Sequence, residues 1–241
     1  VQCWGRNDAG QLGDGSTTGR NVPNGVVGLS SVSSLTAGTR HTCAVLSNGT
    51  VRCWGANGFG QLGDQTLIQK RIPTAIATTN VVQQLTAGDV HTCALGTNGR
   101  AECWGSNSEG QLGDGTSLQR TLPAEVLGLV DGTNLSAGAT SSCSVLTSRQ
   151  ILCWGDNTYG QLGDGTTNSR TSAVFTQTIE GRSSPTFSLP PSICSGQRVD
   201  FTTDSQNCGA CEQRCAQNAS CIASECRCND GSICAWSCLS S

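Results

Sequence analysis

The stretch Cys53-Trp54-Gly55-Ala56-Asn57-Gly58-Phe59-Gly60-Gln61-Leu62-Gly63-Asp64 decides how this chain folds, because its frame is written four times. Cys-Trp-Gly recurs at 3–5, 53–55, 103–105 and 153–155, and Gly-Gln-Leu-Gly-Asp at 10–14, 60–64, 110–114 and 160–164. An asparagine stands between the two motifs at 7, 57, 107 and 157. The 50-residue register runs without insertion or deletion, and Pro23, Pro73 and Pro123 keep it, with Ala173 in the last copy. Leu-Thr-Ala-Gly at 35–38 and 85–88 and Leu-Ser-Ala-Gly at 135–138 lead into His41-Thr42-Cys43, His91-Thr92-Cys93 and Ser141-Ser142-Cys143. A fixed period of this length marks one supersecondary unit, repeated and stacked.

Each unit reads as short strands separated by turns. Cys43–Leu46 and Val51–Trp54 flank Ser47-Asn48-Gly49, and glycine in the third place suits a three-residue hairpin loop. That loop length puts Cys43 opposite Cys53 across an antiparallel pair, within disulfide reach, and the same holds for Cys93 with Cys103 and Cys143 with Cys153. In the chain-entropy picture, a bridge closing so short a loop contributes roughly 3 kcal/mol. The expected fold is all-β: a partial or small β-propeller of four-stranded blades, each about 50 residues long, followed by a small disulfide-rich module.

These motifs resemble the regulator-of-chromosome-condensation repeat over roughly residues 1–180. The resemblance implies a β-propeller, seven-bladed in the family, used for protein–protein recognition. Its nuclear members act on a small GTPase and a secreted member inhibits β-lactamases. Neither activity transfers by fold alone. This chain departs from the pattern by holding a half-blade (1–30) and three whole blades (31–80, 81–130 and 131–180). Three and a half blades do not close a seven-bladed ring alone.

The period ends near Thr178. Residues 181–193, with Pro185, Pro190 and Pro191, read as a linker or degenerate strand. Residues 194–241 carry nine cysteines and few apolar residues, so they read as a stapled module. Its opening resembles a cysteine-rich motif of secreted bacterial proteins, with Arg198 where a second cysteine is usual. The propeller part then has one odd cysteine, Cys3, and the tail another. Residues 186–200 are expected to supply replacement strands for the half-blade, with Cys194 bridging Cys3.

Sixteen cysteines in this spacing point to an oxidising compartment, and the expected localisation is secreted or cell-surface. A net charge of −3 offers no basic surface for nucleic acid. No apolar run reaches the ~18 residues of a membrane span. The chain opens at Val1 with neither an initiator methionine nor an apolar signal core, which reads as a processed chain or a fragment.

Several residue sets invite a functional reading. His41 and His91 beside cysteines suggest metal, yet the third copy has Ser141, so a buried imidazole bonded to the neighbouring blade is the better reading. Asp14, Asp64, Asp114 and Asp164 lack the alternating oxygen ligands of a calcium loop and read as caps of their own turns. Trp4, Trp54, Trp104 and Trp154 read as inter-blade packing. Cys208-x-x-Cys211 and Cys226-x-Cys228 have zinc-like spacing but read as disulfides. Asn48, Asn134 and Asn218 head N-glycosylation patterns.

No catalytic motif stands out, and no metal or cofactor is expected. The residues that vary inside the constant frame are the ligand candidates: Arg6, Asp8, Phe59, Glu109, Asp156 and Tyr159. The expected function is a secreted, non-catalytic module that recognises a protein or glycan through propeller loops. The alternative is a structural subunit assembling through its half-blade edges into a filament, a surface layer or a dimeric propeller.

Peptide mapping of the unreduced protein tests the odd-cysteine arithmetic. A Cys3–Cys194 peptide is expected. A free Cys3, or Cys194 linked elsewhere, removes the idea.

Overall fold

A three-residue turn generates each sheet. Leu46 N–H bonds Thr50 O at 2.9 Å around Ser47-Asn48-Gly49, which sets Cys43 opposite Cys53 in the strand register. The computed structural model describes residues 1–177 and, for the backbone alone, four short strands beyond them. The chain divides into two compact units, 1–177 and 178–241.

The first unit opens with two paired strands, β1 (Gln2–Gly5) and β2 (Arg20–Gly25). Three four-stranded antiparallel sheets follow, each with its strands in chain order. Blade one holds β3 (Val32–Ala37), β4 (His41–Leu46), β5 (Val51–Gly55) and β6 (Lys70–Ile76). Blade two holds β7 (Val82–Ala87), β8 (His91–Gly96), β9 (Ala101–Gly105) and β10 (Arg120–Glu125). Blade three holds β11 (Gly132–Ala137), β12 (Ser141–Leu146), β13 (Ile151–Gly155) and β14 (Arg170–Phe175). By sequence position β1–β2 are the third and fourth strands of a blade, so a half-blade precedes the three whole ones. In the second unit β15 (Ser192–Cys194) pairs with β16 (Gln197–Val199), and β17 (Ala219–Ile222) with β18 (Glu225–Cys228).

Disulfides join Cys43 to Cys53, Cys93 to Cys103 and Cys143 to Cys153, each across one hairpin with the Cα atoms 4.1 Å apart. Cys3 has no disulfide partner among the described residues. The Cys194 side chain lies outside them, and so do the expected Cys3–Cys194 bridge, the linker 181–193 and the pairings within 194–241.

The core sits between blades. One cluster joins Val45, Val51 and Leu62 of blade one to Val82, Leu85 and Trp104 of blade two. The next joins Leu95, Ala101 and Leu112 of blade two to Leu135, Leu152 and Trp154 of blade three. The first strands of successive blades also lie together, and the Gln84 side chain on β7 bonds both backbone groups of Leu135 on β11, at 2.9 and 3.0 Å.

One polar arrangement repeats at each junction. Trp104 Nε1–H and the Thr92 hydroxyl of blade two both donate to the Gln61 carbonyl of blade one, at 2.9 and 2.8 Å. Because Thr92 spends its proton there, its oxygen accepts from His41 Nε2–H at 2.9 Å, which fixes the imidazole as the neutral Nε2–H tautomer. His91, Ser142, Trp154 and the Gln111 carbonyl repeat this between blades two and three. Thr42 and Trp54 donate to the Gln11 carbonyl of the half-blade, both at 2.9 Å. Burial pushes His41 down to about 4, helped by His91, and burial does the same to His91 against the pull of Asp89.

Two predictions follow from this frame. The unfolded chain binds protons at His41 and His91 near pH 6.5 while the fold resists until about 4. Stability therefore falls as pH drops through that window, by on the order of 3 kcal/mol per imidazole. Denaturant midpoints measured from pH 7 to 4 read the slope, and His41→Gln with His91→Gln flattens it. Separately, Arg149 and Gln65 hold φ of 68° and 66° at positions where the sister repeats have Gly49, Gly99, Gly15, Gly115 and Gly165. Arg149→Gly and Gln65→Gly each relieve a left-handed residue and raise stability by about 1 kcal/mol, read as a higher urea midpoint.

Candidate recognition face

The loops between the third and fourth strands, residues 6–19, 56–69, 106–119 and 156–169, all emerge at one end of the blades. The short turns 38–40, 88–90 and 138–140 emerge at the same end. All six ligand candidates fall on the four long loops, so the structure brings Arg6, Asp8, Phe59, Glu109, Asp156 and Tyr159 to a common face.

Each loop is pinned from inside. In blade one, the buried Asn57 donates from Nδ2 to Asp64, to the Thr66 carbonyl and to the Ile68 carbonyl, while its oxygen accepts Leu62 N–H at 3.0 Å. Asp64 accepts both the N–H and the hydroxyl of Thr66, at 3.1 and 2.7 Å, and pairs with Lys70 at 3.2 Å. The other loops repeat this with Asn7, Asp14 and Arg20, with Asn107, Asp114 and Arg120, and with Asn157, Asp164 and Arg170. Burial alone raises Asp64 and Asp114. The bonds from Thr66 or Thr116 and the cation outweigh it, leaving both below the usual carboxylate range. The Thr166 hydroxyl, opposed by burial and helped by Arg170, lowers Asp164 to about 2. These carboxylates are spent as loop pins. Among the described residues no three His, Cys, Asp or Glu side chains gather as a metal site would require.

The loops also tile over the next blade: Gly15 N–H bonds Arg71 O, Gln65 N–H bonds Thr121 O and Gly115 N–H bonds Thr171 O, at 2.8–3.0 Å. One position in each loop is fixed particularly well. The backbone N–H of Ala9, Phe59, Glu109 and Tyr159 is held by the side-chain oxygen of Gln11, Gln61, Gln111 and Gln161, at 2.9–3.0 Å. A constant glutamine thus presents a variable side chain in a set direction.

The six candidates differ in availability. Phe59 is exposed and Tyr159 is 90% exposed, while Glu109 is partly buried. Arg6 and Arg40 clamp Asp8 at 2.6 and 2.7 Å, and the Arg6 hydrogen bond is the main cause of its carboxyl falling to about 2. Asp156 accepts from the N–H and hydroxyl of Thr158 and from Gln161 Nε2, so its oxygens are engaged inside its own loop. Sequence reasoning missed three residues on this face: Leu67, Ile68 (66% exposed) and Leu118. The signal was present. The same loop places hold Thr17-Thr18 and Thr167-Asn168 in the sister repeats, so apolar residues there are not part of the frame.

Comparison with known proteins places this geometry. The regulator of chromosome condensation (RCC1) repeat model matches residues 1–45, 48–95, 98–145 and 150–190, and a second model of the same repeat matches 32–61, 82–111 and 133–161. No curated protein is significantly similar to the chain in sequence. Among solved structures, human WBSCR16 is similar with a TM-score of 0.64 and 21% identity, over 73% of this chain and 48% of that one. Yeast RCC1 (Prp20) bound to Kap60 gives 0.64 and 20%, over 74% and 44%. Prp20p from Saccharomyces cerevisiae, described with its binding to Gsp1p and histones, gives 0.64 and 22%, over 74% and 46%. The chain spans less than half the length of each of these structures. With its blade order, pinned loops and matched repeats, the chain belongs to the regulator of chromosome condensation (RCC1) repeat family.

Proposed function

We propose that this chain is a non-catalytic binding module that recognises a protein through the face of its pinned loops. The observation that carries the reading is the exposure of Phe59, Leu67, Ile68 and Leu118 on loops whose backbones are already fixed by internal hydrogen bonds. Exposed apolar side chains cost a soluble protein in aggregation risk, and a rigid display of them favours a partner by lowering the ordering entropy of binding. The structural relatives support the reading, since the yeast protein is seen bound to Kap60 and is described as binding Gsp1p and histones. We place the module in an oxidising compartment, secreted or at a cell surface, because three disulfides, one in each whole blade, suit such surroundings and not the reducing cytosol. Tyr159 and Phe59 would serve a glycan equally well by stacking, and the test separates the two ligands.

The experiment immobilises the full chain beside a Phe59→Ser/Ile68→Ser/Leu118→Ser variant and an opposite-face control, Ser47→Ala/Thr97→Ala. A protein partner retained by the native chain and the control is expected to bind the triple variant at least ~10-fold more weakly. Equal retention on all three overturns the loop-face reading. Retention on a glycan array that Tyr159→Ala and Phe59→Ala abolish transfers the site to a sugar.

A further inference from the structure

The turn that sets the register of blade one carries chemistry that the recognition face does not use. Ser47-Asn48-Gly49 joins β4 to β5 at the end of the blades opposite the long loops. It is tied down on both sides. Ser47 N–H donates to Ser31 O at 2.7 Å, Gly49 N–H donates to Leu46 O at 2.8 Å, and Gly49 O accepts Val82 N–H at 3.2 Å. Asn48 itself stays exposed. Its Oδ1 accepts the N–H of Thr50 at 3.1 Å and the Thr50 hydroxyl at 2.8 Å, whereas its Nδ2 donates to nothing among the described residues.

Asn48-Gly49-Thr50 has the residue order of an N-glycosylation acceptor, an asparagine with a hydroxyl residue two places on. The comparable sites each lack something. Asn98 holds the same turn, with its Oδ1 accepting Arg100 N–H at 3.1 Å, but position 100 has no hydroxyl and its Nδ2 is spent on Asn80 at 2.7 Å. The third turn has Ser148 in that place. Asn134 and Ser136 complete the pattern, yet both lie in β11, where they face Val145 and Cys143 of β12. Two steps along a strand cover roughly 6.6 Å, so the Ser136 hydroxyl does not turn back to the Asn134 amide. Asn218 lies outside the residues whose side chains are described.

The surroundings of Asn48 suit a sugar. A cavity of about 350 Å³ beside it is lined by Thr50, Thr78, Thr79, Asn80 and Val81. Its hydroxyl and amide groups match the hydroxyls of a sugar ring, and Val81, 59% exposed, offers an apolar surface to the face of the ring.

We propose that Asn48 is the acceptor of an N-linked oligosaccharide whose first sugar rests in this cavity. The inference rests on the secreted placement given above. The donor is an oligosaccharide carried on a lipid pyrophosphate. A bond forms from Nδ2 to the anomeric carbon, the bond from that carbon to the phosphate oxygen breaks, and its electron pair leaves with the lipid pyrophosphate. Nδ2 gives up one proton to a base of the transferase. The Thr50 hydroxyl assists by drawing electron density toward Oδ1, which makes the amide N–H more acidic. The oligosaccharide then stands at the end of the blades away from Phe59, Leu67, Ile68 and Leu118 and leaves the recognition face open.

The test expresses the full chain behind a secretory leader in a eukaryotic host and maps its peptides by mass, from the medium and from the secretory membranes. The Asn48 peptide is expected to gain the mass of one oligosaccharide, removable by an amidase that leaves an aspartate, while the Asn134 peptide stays bare. Thr50→Ala abolishes the gain and Thr50→Ser retains it. A chain that has entered the lumen and formed its three bridges with Asn48 bare overturns the proposal. Equal occupancy of Asn48 and Asn134 overturns it too, because the turn then selects nothing. Partner retention by the same secreted chain and by Asn48→Gln reads the binding function separately: a bare chain that binds leaves that reading standing, and a glycosylated chain that binds no protein removes it alone.

Discussion

One main-chain carbonyl per repeat, that of Gln11, Gln61 or Gln111, holds adjoining blades together. Each accepts an indole N–H and a hydroxyl from the next blade at 2.8–3.3 Å in a buried junction. A buried carbonyl stripped of both donors would bear a desolvation cost of about 1–3 kcal/mol, so the junction is satisfied as a whole or not at all. The indoles add apolar area of roughly 150–250 Å² each. The carbonyl can be aimed so closely only because its loop is rigid. Asn57 and Asp64 fix the loop on one side of Gln61, and the Gln61 side chain fixes Phe59 on the other.

The same loop is therefore both the adhesive between blades and the surface shown to solvent. Its inward carbonyl cannot vary in position without opening a junction, whereas Phe59, Leu67 and Ile68 in blade one, and Leu118 and Tyr159 in the later loops, are exposed. Chemical variety collects there for that reason. The frame also accounts for side chains that resemble catalytic or ligating groups. His41 and His91 are neutral donors within junctions, and Asp64, Asp114 and Asp164 are saturated by their own turns.

Much of this was legible in the sequence because it repeats. The period located the blades, the three-residue turn set Cys43 against Cys53, and the motif spacing put the variable residues on one set of loops. The Gln61 carbonyl left no trace, since a main-chain acceptor is common to every residue and its use is visible only when Thr92 and Trp104 arrive from another blade. Equivalence in sequence also concealed inequivalence in place. Trp4 is spelled like Trp54, yet one is exposed and the other buried, because burial depends on the preceding loop and not on the residue. Leu67, Ile68 and Leu118 were missed because apolar residues are ordinarily assigned to a core, and only a loop fixed from within can hold them outward.

The disulfides belong to the same argument, and their placement indicates what they secure. Each closes a hairpin within one blade, so none ties one blade to another, and cohesion along the array rests on the junctions in the manner of other stacked repeats. The residue pair next to each bridge is the donor pair: Thr42 faces Trp54, Thr92 faces Trp104 and Ser142 faces Trp154 across the two strands. A slip of one residue between those strands would turn one donor to the opposite side of the sheet, and the shared carbonyl would lose half its partners. By locking the neighbouring register, the bridge keeps hydroxyl and indole converging on one oxygen of the blade before. On β1 neither the bridge nor the facing strand is present among the described residues, so Cys3 and Trp4 carry no such register lock there.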